Sequence, residues 1–490
     1  MLKVRFATGI ALLAISATGC ALAGSPRRNV VVPAEPTMID YVDPATVAGL
    51  SVGAVTVGDS PSDLKVHISY PLLPAAPALT RALRRQAQQQ LRDFLRRTKG
   101  PASYPRPELN VDWQLPAASS EVTAVRLRTG ERLGADWGNS MRTLWFDPRT
   151  GATVGSTALL KGKPELEQLT SKVKEGLRDR GSQIKQDSVK PNEELLDSMA
   201  FNRSGDLVVE FDDCQIGPCS LGRLAVAVPR AQAAPLLSDL GRRAQTSVLR
   251  TAATPTPNGP PVMPRRAPDL ATSQGRRVDC SKTKCVALTF DDGPGPYTGR
   301  LLDVLREQDT RATFFVVGAN AAAQPQLLRR MSAEGHLVAS HSWSHRDLSM
   351  QSSSMAAGSL RDTSAILSVV TGQSPRLVRP PYGAVSQQLM SIAYRMGLSL
   401  VTWDVNARDD NGGDPRDIAG RVVRQAHPGA IILMHDIHRH SVDAVPDVIT
   451  RLRAKGYTFV TVPELYGAAG MQAGRLYRSG SGLPGKRPLT

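Results

Sequence analysis

Two adjacent carboxylates, Asp291 and Asp292, close the apolar run Cys285-Val286-Ala287-Leu288-Thr289-Phe290, and Gly293-Pro294 then stops that run abruptly. The run has the length and the β-branched and aromatic content of a buried strand. Consecutive residues cannot both point the same way, so one carboxylate can bind a metal while the other stays free to accept a proton. Further along, His341 and His345 stand four apart, a spacing that one helical turn would bring onto a single face. Two histidines and one carboxylate form a set that leaves a metal coordination position open for water, as a hydrolytic zinc site requires. Arg379-Pro380-Pro381-Tyr382-Gly383 is a rigid turn in which Arg379 could hold a carboxylate and the stiff backbone could present an amide donor. Asp404 to Asp410 form a cluster of polar groups, and Leu433-Met434-His435-Asp436 ends in a histidine beside an acid.

Each of these groups falls at the end of a strand-like run. Strand patterns cover residues 286–290, 312–317, 336–340, 377–378, 398–405, 430–434 and 457–462. Helical patterns cover 299–307, 324–334, 352–370, 386–397, 416–426 and 442–455. Such alternation argues for an α/β fold with a parallel sheet, and an incomplete, distorted β/α barrel fits better than an eight-fold one. The active site of such a fold gathers at the C-terminal ends of the strands.

The five strand ends, in this order, resemble the polysaccharide deacetylase family, also called the NodB-homology domain or carbohydrate esterase family four. The resemblance covers about residues 280–466 and implies a distorted β/α barrel with a divalent metal, usually zinc. It implies Asp292, His341 and His345 as metal ligands and Asp291 as general base, oriented by Arg379. The backbone amide of Tyr382 would join the oxyanion hole, His435 would be the general acid, and Leu433 would line a pocket for the acetyl methyl group. One segment departs from the family pattern Asp-x-x-Asp-Trp: Asn406-Ala407-Arg408-Asp409-Asp410 puts Asn first and Asp where the Trp would be. An Asn there stabilises a protonated histidine less than an Asp does, which leaves Asp404 or Asp409 as electrostatic substitutes. The missing Trp removes part of one apolar wall. His427, His438 and His440 match no motif and are read as surface or packing residues, and Asp436 as structural.

The chain has 490 residues and a formal net charge of +16, spread without a dense run or a nucleic-acid motif. That balance suits an anionic wall or membrane surface and does not argue for nucleic acid. Residues 1–23 carry Lys3 and Arg5, an apolar stretch over 6–17 and then small residues, the layout of a secretory signal. Ala21-Leu22-Ala23 suits ordinary cleavage, whereas Ala17-Thr18-Gly19-Cys20 resembles a bacterial lipoprotein box. Of five cysteines, Cys214 with Cys219 and Cys280 with Cys285 make two close pairs expected as disulfides of an oxidising compartment, which leaves Cys20 for lipidation.

Residues 29–250 read as a smaller α+β domain, with a half-buried strand over 64–70 and a helix with a basic polar face over 78–97. His67, alone on that strand, reads as a packing residue. Ser69-Tyr70-Pro71 before a long helix, Trp145-Phe146-Asp147, and Phe201-Asn202 through Gly222 followed by Val226-Ala227-Val228-Pro229 resemble a domain of extracellular bacterial deacetylases and of anti-sigma factors that sense lysozyme. It implies a wall-binding or sensing role, with lysozyme or a wall component as ligand. Residues 251–277 read as a Pro-rich linker, so the two domains are expected to move semi-independently, and 467–490 as a C-terminal tail.

Together these features predict an exported enzyme, held at the outer membrane face through Cys20 or else secreted into the wall, that uses a divalent metal, Zn2+ above others, to remove N-acetyl groups from peptidoglycan. Chitooligosaccharides and acetylxylan are the competing substrates. The competing class is a catalytically impaired wall-binding or lysozyme-sensing protein.

Overall fold

The computed structural model describes residues 39–58, 60, 63–99, 106–133, 137–178, 183–218, 224–253, 278–410, 412–467 and 470–480. The signal segment with Cys20, residues 254–277 of the linker, and Cys219 of the expected Cys214–Cys219 bridge lie outside them. Cys280 and Cys285 form the second expected disulfide, at the entry to the first barrel strand. Among the described residues no helix is long and apolar enough to cross a membrane.

The N-terminal region contains two sheets. The first has six strands in sequence order: β1 (Ser51–Val57), β2 (Lys65–Leu72), β3 (Glu108–Ala118), β4 (Thr123–Arg132), β5 (Trp137–Asp147) and β6 (Ala152–Gly155). Strand β2 runs parallel to β3, and the other neighbours are antiparallel. The helix Pro77–Arg97 starts with Pro in its first turn and carries Arg96 and Arg97 in its last, both favoured there by backbone geometry and the helix dipole. Its Leu79, Leu83, Ala87 and Phe94 pack with Val66, Ile68 and Tyr70 from one face of β2. The second sheet has three strands, β7 (Met199–Phe201), β8 (Leu207–Phe211) and β9 (Leu224–Val228). It shares a separate apolar core with the helices Lys163–Leu177 and Asp239–Ala253.

The C-terminal region is a single curled sheet of nine parallel strands: β10 (Cys285–Asp291), β11 (Thr313–Val316), β12 (Leu337–Ser340), β13 (Leu377–Val378), β14 (Ser399–Val401), β15 (Val405–Asn406), β16 (Ile431–His435), β17 (Thr458–Phe459) and β18 (Leu476–Tyr477). The order is β15-β16-β10-β11-β12-β13-β14-β18, with β17 beside the start of β10. Every residue of β10 and β16 is buried, which explains why both read as continuous apolar runs rather than alternating ones.

The run expected as one strand over 398–405 is two strands, β15 at one end of this order and β14 next to the terminal β18 at the other. Residues 402–404 carry the chain from β14 to β15, so the two ends of the sheet lie within the reach of a few residues, roughly 14 Å at full extension. Among the described residues the sheet forms an open path, the incomplete barrel expected. The run over 457–462 gives only β17, because Thr461 and Glu464 form a capping box that starts the helix Val462–Leu465. Leu476–Tyr477, in the stretch read as a tail, adds an edge strand to β14.

The two regions do not sit apart. Ala323 of the barrel packs into the core of the six-stranded sheet, and Asn110 Nδ2 donates to the carbonyl of Ser344 at 2.7 Å. Lys65 forms a buried ion pair with Asp347. The expectation of semi-independent domains, drawn from linker composition alone, is replaced by a docked arrangement with buried polar contacts.

Candidate active site

The register of two neighbouring strands builds the centre. In the β10–β16 ladder Thr289 faces Leu433 and Asp291 faces His435, so an acid and an imidazole sit side by side at the strand ends. Asp292, one residue later, turns away from Asp291 with φ +73. Gly293 follows because a Cβ there would lie 2.2 Å from Asp436 Oδ2. Asp436, read as structural, packs against this turn and accepts a hydrogen bond from Thr298.

Asp291 is 2% exposed. Arg379 Nη1 donates to its Oδ1 at 2.7 Å and to Thr289 Oγ1 at 2.8 Å, while the guanidinium stacks 4.1 Å from the centre of the Phe315 ring. A fully buried Arg in this position fixes the carboxylate's direction.

The His341–His345 pair is brought together as expected, but by a different device. The segment is an irregular loop with Ser342 at φ +66 and His345 at φ +57, not a helical turn. Left-handed conformations of non-glycine residues cost energy and gather at functional sites; here they occur at Asp292, Ser342, His345 and Tyr382. The loop is tied down by His345 N donating to Ser342 Oγ at 3.0 Å and Trp343 N donating to Ser359 Oγ at 2.8 Å.

His341 Nε2 and His345 Nε2 approach Asp292 Oδ1 at 3.4 and 3.2 Å, yet that buried oxygen receives no hydrogen bond among the described residues. His341 Nδ1 lies 2.7 Å from the carbonyl oxygen of Arg379. A carbonyl only accepts, so Nδ1 carries the proton and Nε2 presents a lone pair toward Asp292. Burial also keeps the His345 imidazole neutral, its proton affinity far below the usual range although Asp292 opposes this. Lone pairs converging on an unsatisfied carboxylate oxygen are what a cation resolves. The residues present therefore fit a divalent metal.

His435 is held on its other side. Asp409 Oδ1 lies 3.0 Å from His435 Nδ1, and Asp409 Oδ2 accepts from the His435 amide at 2.8 Å. Burial pushes the Asp409 carboxyl up, but the His435 ring and amide more than offset this and hold it at about 2. Asp409, and not Asn406, is the acid beside this histidine; Asn406 Oδ1 accepts from the Arg408 amide. His438 is half-buried at 6.1 Å from the His435 ring and stacks on His440, consistent with packing, while His427 pairs with Asp404.

Asp291, His341, His345, Tyr382, Leu433 and His435 line one cavity, with Thr56, Gly58 and Trp403. Its accessible volume is about 10 Å3, the space of a single water. A larger polar cleft of about 250 Å3, between Gln90 and Asp197 in the N-terminal region, lies away from these groups. Sequence reasoning missed Trp403, which lines the cavity and packs close to Gly383. It also missed Thr56 and His67. His67 stacks on His345 with ring centres 4.4 Å apart, and Thr56 Oγ1 donates to Asp292 Oδ2 at 3.0 Å. The sequence signal for His67 was the alternation of β2, which shows a second, polar face but not what covers it; Thr56 lies on the neighbouring β1, for which no strand was read.

The curled parallel sheet and a metal-fitting acid–histidine centre at its strand ends define a hydrolase of the β/α-barrel class. The polysaccharide deacetylase family pattern matches residues 279–401. The chain is 36% identical over 190 residues to the peptidoglycan-N-acetylmuramic acid deacetylase PdaA of Bacillus subtilis, covering 38% of this chain and 72% of that protein. It is 29% identical over 409 residues to PdaC, a peptidoglycan-N-acetylmuramic acid deacetylase of the same organism, covering 81% and 84%. It is 38% identical over 221 residues to the peptidoglycan-N-acetylglucosamine deacetylase PgdA of Listeria monocytogenes, covering 43% of this chain and about half, 47%, of that one. The chain belongs to the polysaccharide deacetylase family.

Proposed function

We propose that this protein hydrolyses N-acetyl groups from the amino sugars of peptidoglycan, with a divalent metal held by Asp292, His341 and His345. The observation that carries the reaction is the convergence on one small cavity of two separately supported proton carriers, Asp291 on Arg379 and His435 on Asp409, and of His341 and His345, whose Nε2 atoms approach the unsatisfied Asp292 oxygen. A divalent cation supplies Lewis acidity there, acidifying water and polarising an acetyl carbonyl.

Asp291, oriented by Arg379, takes a proton from the attacking water. The turn that holds Tyr382 at φ +60 presents its backbone amide toward charge developing on the acetyl oxygen, an interaction typically worth about 3 kcal/mol. With Asp409 accepting from Nδ1, His435 directs Nε2 into the cavity and delivers a proton to the departing nitrogen, without which an amine leaves poorly. Leu433 and Trp403 border the space for the acetyl methyl group. The supported His435 argues against a catalytically impaired sensor.

Peptidoglycan is favoured by the names of the relatives, and Zn2+ by the two-histidine, one-carboxylate donor set. The match to PdaC is longer than the barrel, which supports a shared two-domain layout. The export signal and Cys20 support a lipid-anchored protein on the outer face of the cell membrane. Acetate release by the full chain with Zn2+ from peptidoglycan, chitin oligomers and acetylated xylan tests the reading. Release from peptidoglycan, lost in Asp291→Asn, is expected; release only from xylan would overturn it.

A further inference from the structure

We propose that the N-terminal domain is an inhibitory cap on the deacetylase centre, with His67 holding it shut as an additional ligand to the metal of Asp292 and His345. The proposal rests on the metal-site reading above.

The cap is built by strand register. Thr56 of β1 is paired with His67 of β2, and His67 with Asn110 of β3, so these three side chains form one row across the sheet. Lys65 paired with Glu108 forms the next row. Alternation puts Val66, Ile68 and Tyr70 into the domain's own core and sends Lys65 and His67 to the opposite face. Such a polar face is ordinarily turned to water. Here it is buried on the catalytic strand ends, and its groups are matched one by one.

Thr56 donates to the carboxylate oxygen of Asp292 that does not face the histidines. Asn110 binds the carbonyl of Ser344, directly before His345. Lys65 pairs with Asp347 and stands 5.6 Å over the Tyr382 ring, while the Asp347 amide donates to Glu108 Oε1 at 3.0 Å.

His67 itself is 1% exposed, and its Nδ1 has no hydrogen-bond partner among the described residues. One ring nitrogen of His67, one of His345 and a carboxylate oxygen of Asp292 lie within 4.8 Å of one another. His341 stands outside this cluster, its Nε2 3.4 Å from Asp292 Oδ1; His67 added to Asp292, His341 and His345 gives the donor composition of a closed metal site, whereas a catalytic one keeps a position open. The remaining cavity has room for about one water, whereas an acetamido group alone has four heavy atoms. A sugar can enter only when the sheet lifts. Lifting takes His67 off the metal and Thr56 off Asp292 together, so metal coordination and substrate access are one switch.

The test uses the full-length protein and three variants, His67→Ala, Lys65→Met and His345→Ala, each checked for folding by thermal melting. The readouts are the visible absorption of the Co2+-loaded protein, the rate of Zn2+ transfer to a colorimetric chelator, and acetate release from soluble peptidoglycan fragments. His67→Ala is expected to alter the Co2+ spectrum, speed Zn2+ transfer at least tenfold and raise acetate release severalfold. Lys65→Met, which contributes no metal ligand, is expected to raise Zn2+ transfer and acetate release in the same direction. An unchanged Co2+ spectrum in His67→Ala, or no rise in acetate release in either variant, overturns the proposal. His345→Ala separates this from the underlying reading: an unchanged metal affinity there would refute the metal site itself, whatever His67 does.

Discussion

Replacing Asp409 with Asn tests whether this acid governs His435. The substitution keeps shape and one acceptor but removes a fully buried charge that contacts both Nδ1 and the backbone amide of His435, at 3.0 and 2.8 Å. A hydrogen bond to a charged group contributes about 1.5–3 kcal/mol, and each 1.4 kcal/mol of barrier is tenfold in rate, so kcat should fall roughly ten- to a hundredfold. The sign of the pH effect follows from the same contact. Asp409 favours the protonated imidazole, the form that gives its proton to the leaving nitrogen. Without it the proton is lost at lower pH, and the alkaline limb of the kcat profile should move down by about one to two units. The assay is acetate release on soluble peptidoglycan fragments across pH 5–10 at fixed Zn2+, with metal content measured in parallel. An unchanged kcat together with an unmoved alkaline limb would refute the role assigned to Asp409. A loss of metal content would mean that the residue supports the fold of the site and not the proton.

Asp291→Asn should lose at least three orders of magnitude in turnover while binding metal normally, whereas His341→Ala should lose metal as well; metal analysis and acetate release distinguish them, and an active Asp291→Asn would discard the base assignment. His336, buried against Phe314 and accepting from the Ala312 amide at 3.2 Å, is pushed by burial from 6.5 to about 4. The unfolded chain therefore binds a proton that the folded one refuses as pH falls from 6.5 to 4. Stability should drop by about 3 kcal/mol over that window, and urea midpoints of His336→Asn should lose that slope; an unchanged slope would assign it elsewhere. If Cys20 is lipidated, Cys20→Ser should move the protein from the membrane fraction to the medium, and an unaltered distribution would exclude the anchor.

The barrel's chemistry was legible because each functional group follows its own strand within one or two residues, so local patterns located Asp291, Asp292, Arg379 and His435 together. What joined His341 to His345 was not legible: their spacing suggests a helical turn, and the left-handed residues Ser342 and His345 that do the work leave no composition signal. Asp409 was one of two candidates for supporting His435, because the residues around it offered several acids and the strand break after β14 hides which one faces the histidine. His67 shows the limit most clearly. Its partner His345 is 278 positions away, across a domain boundary, and a strand's alternation reports that two faces exist without saying what lies against the second.

The two halves of the centre differ mechanically. Asp291 and His435 belong to the β10–β16 ladder and cannot separate unless a buried sheet shears, so the distance over which a proton must be relayed is set by strand spacing. Asp292 and His345 instead sit on left-handed backbone just past the strand ends, outside that ladder, where buried loop packing and not strand spacing sets their positions. Strand spacing thus fixes the acid–base pair while loop packing places the metal ligands, so a substitution in those loops can displace the ligands without moving the proton carriers.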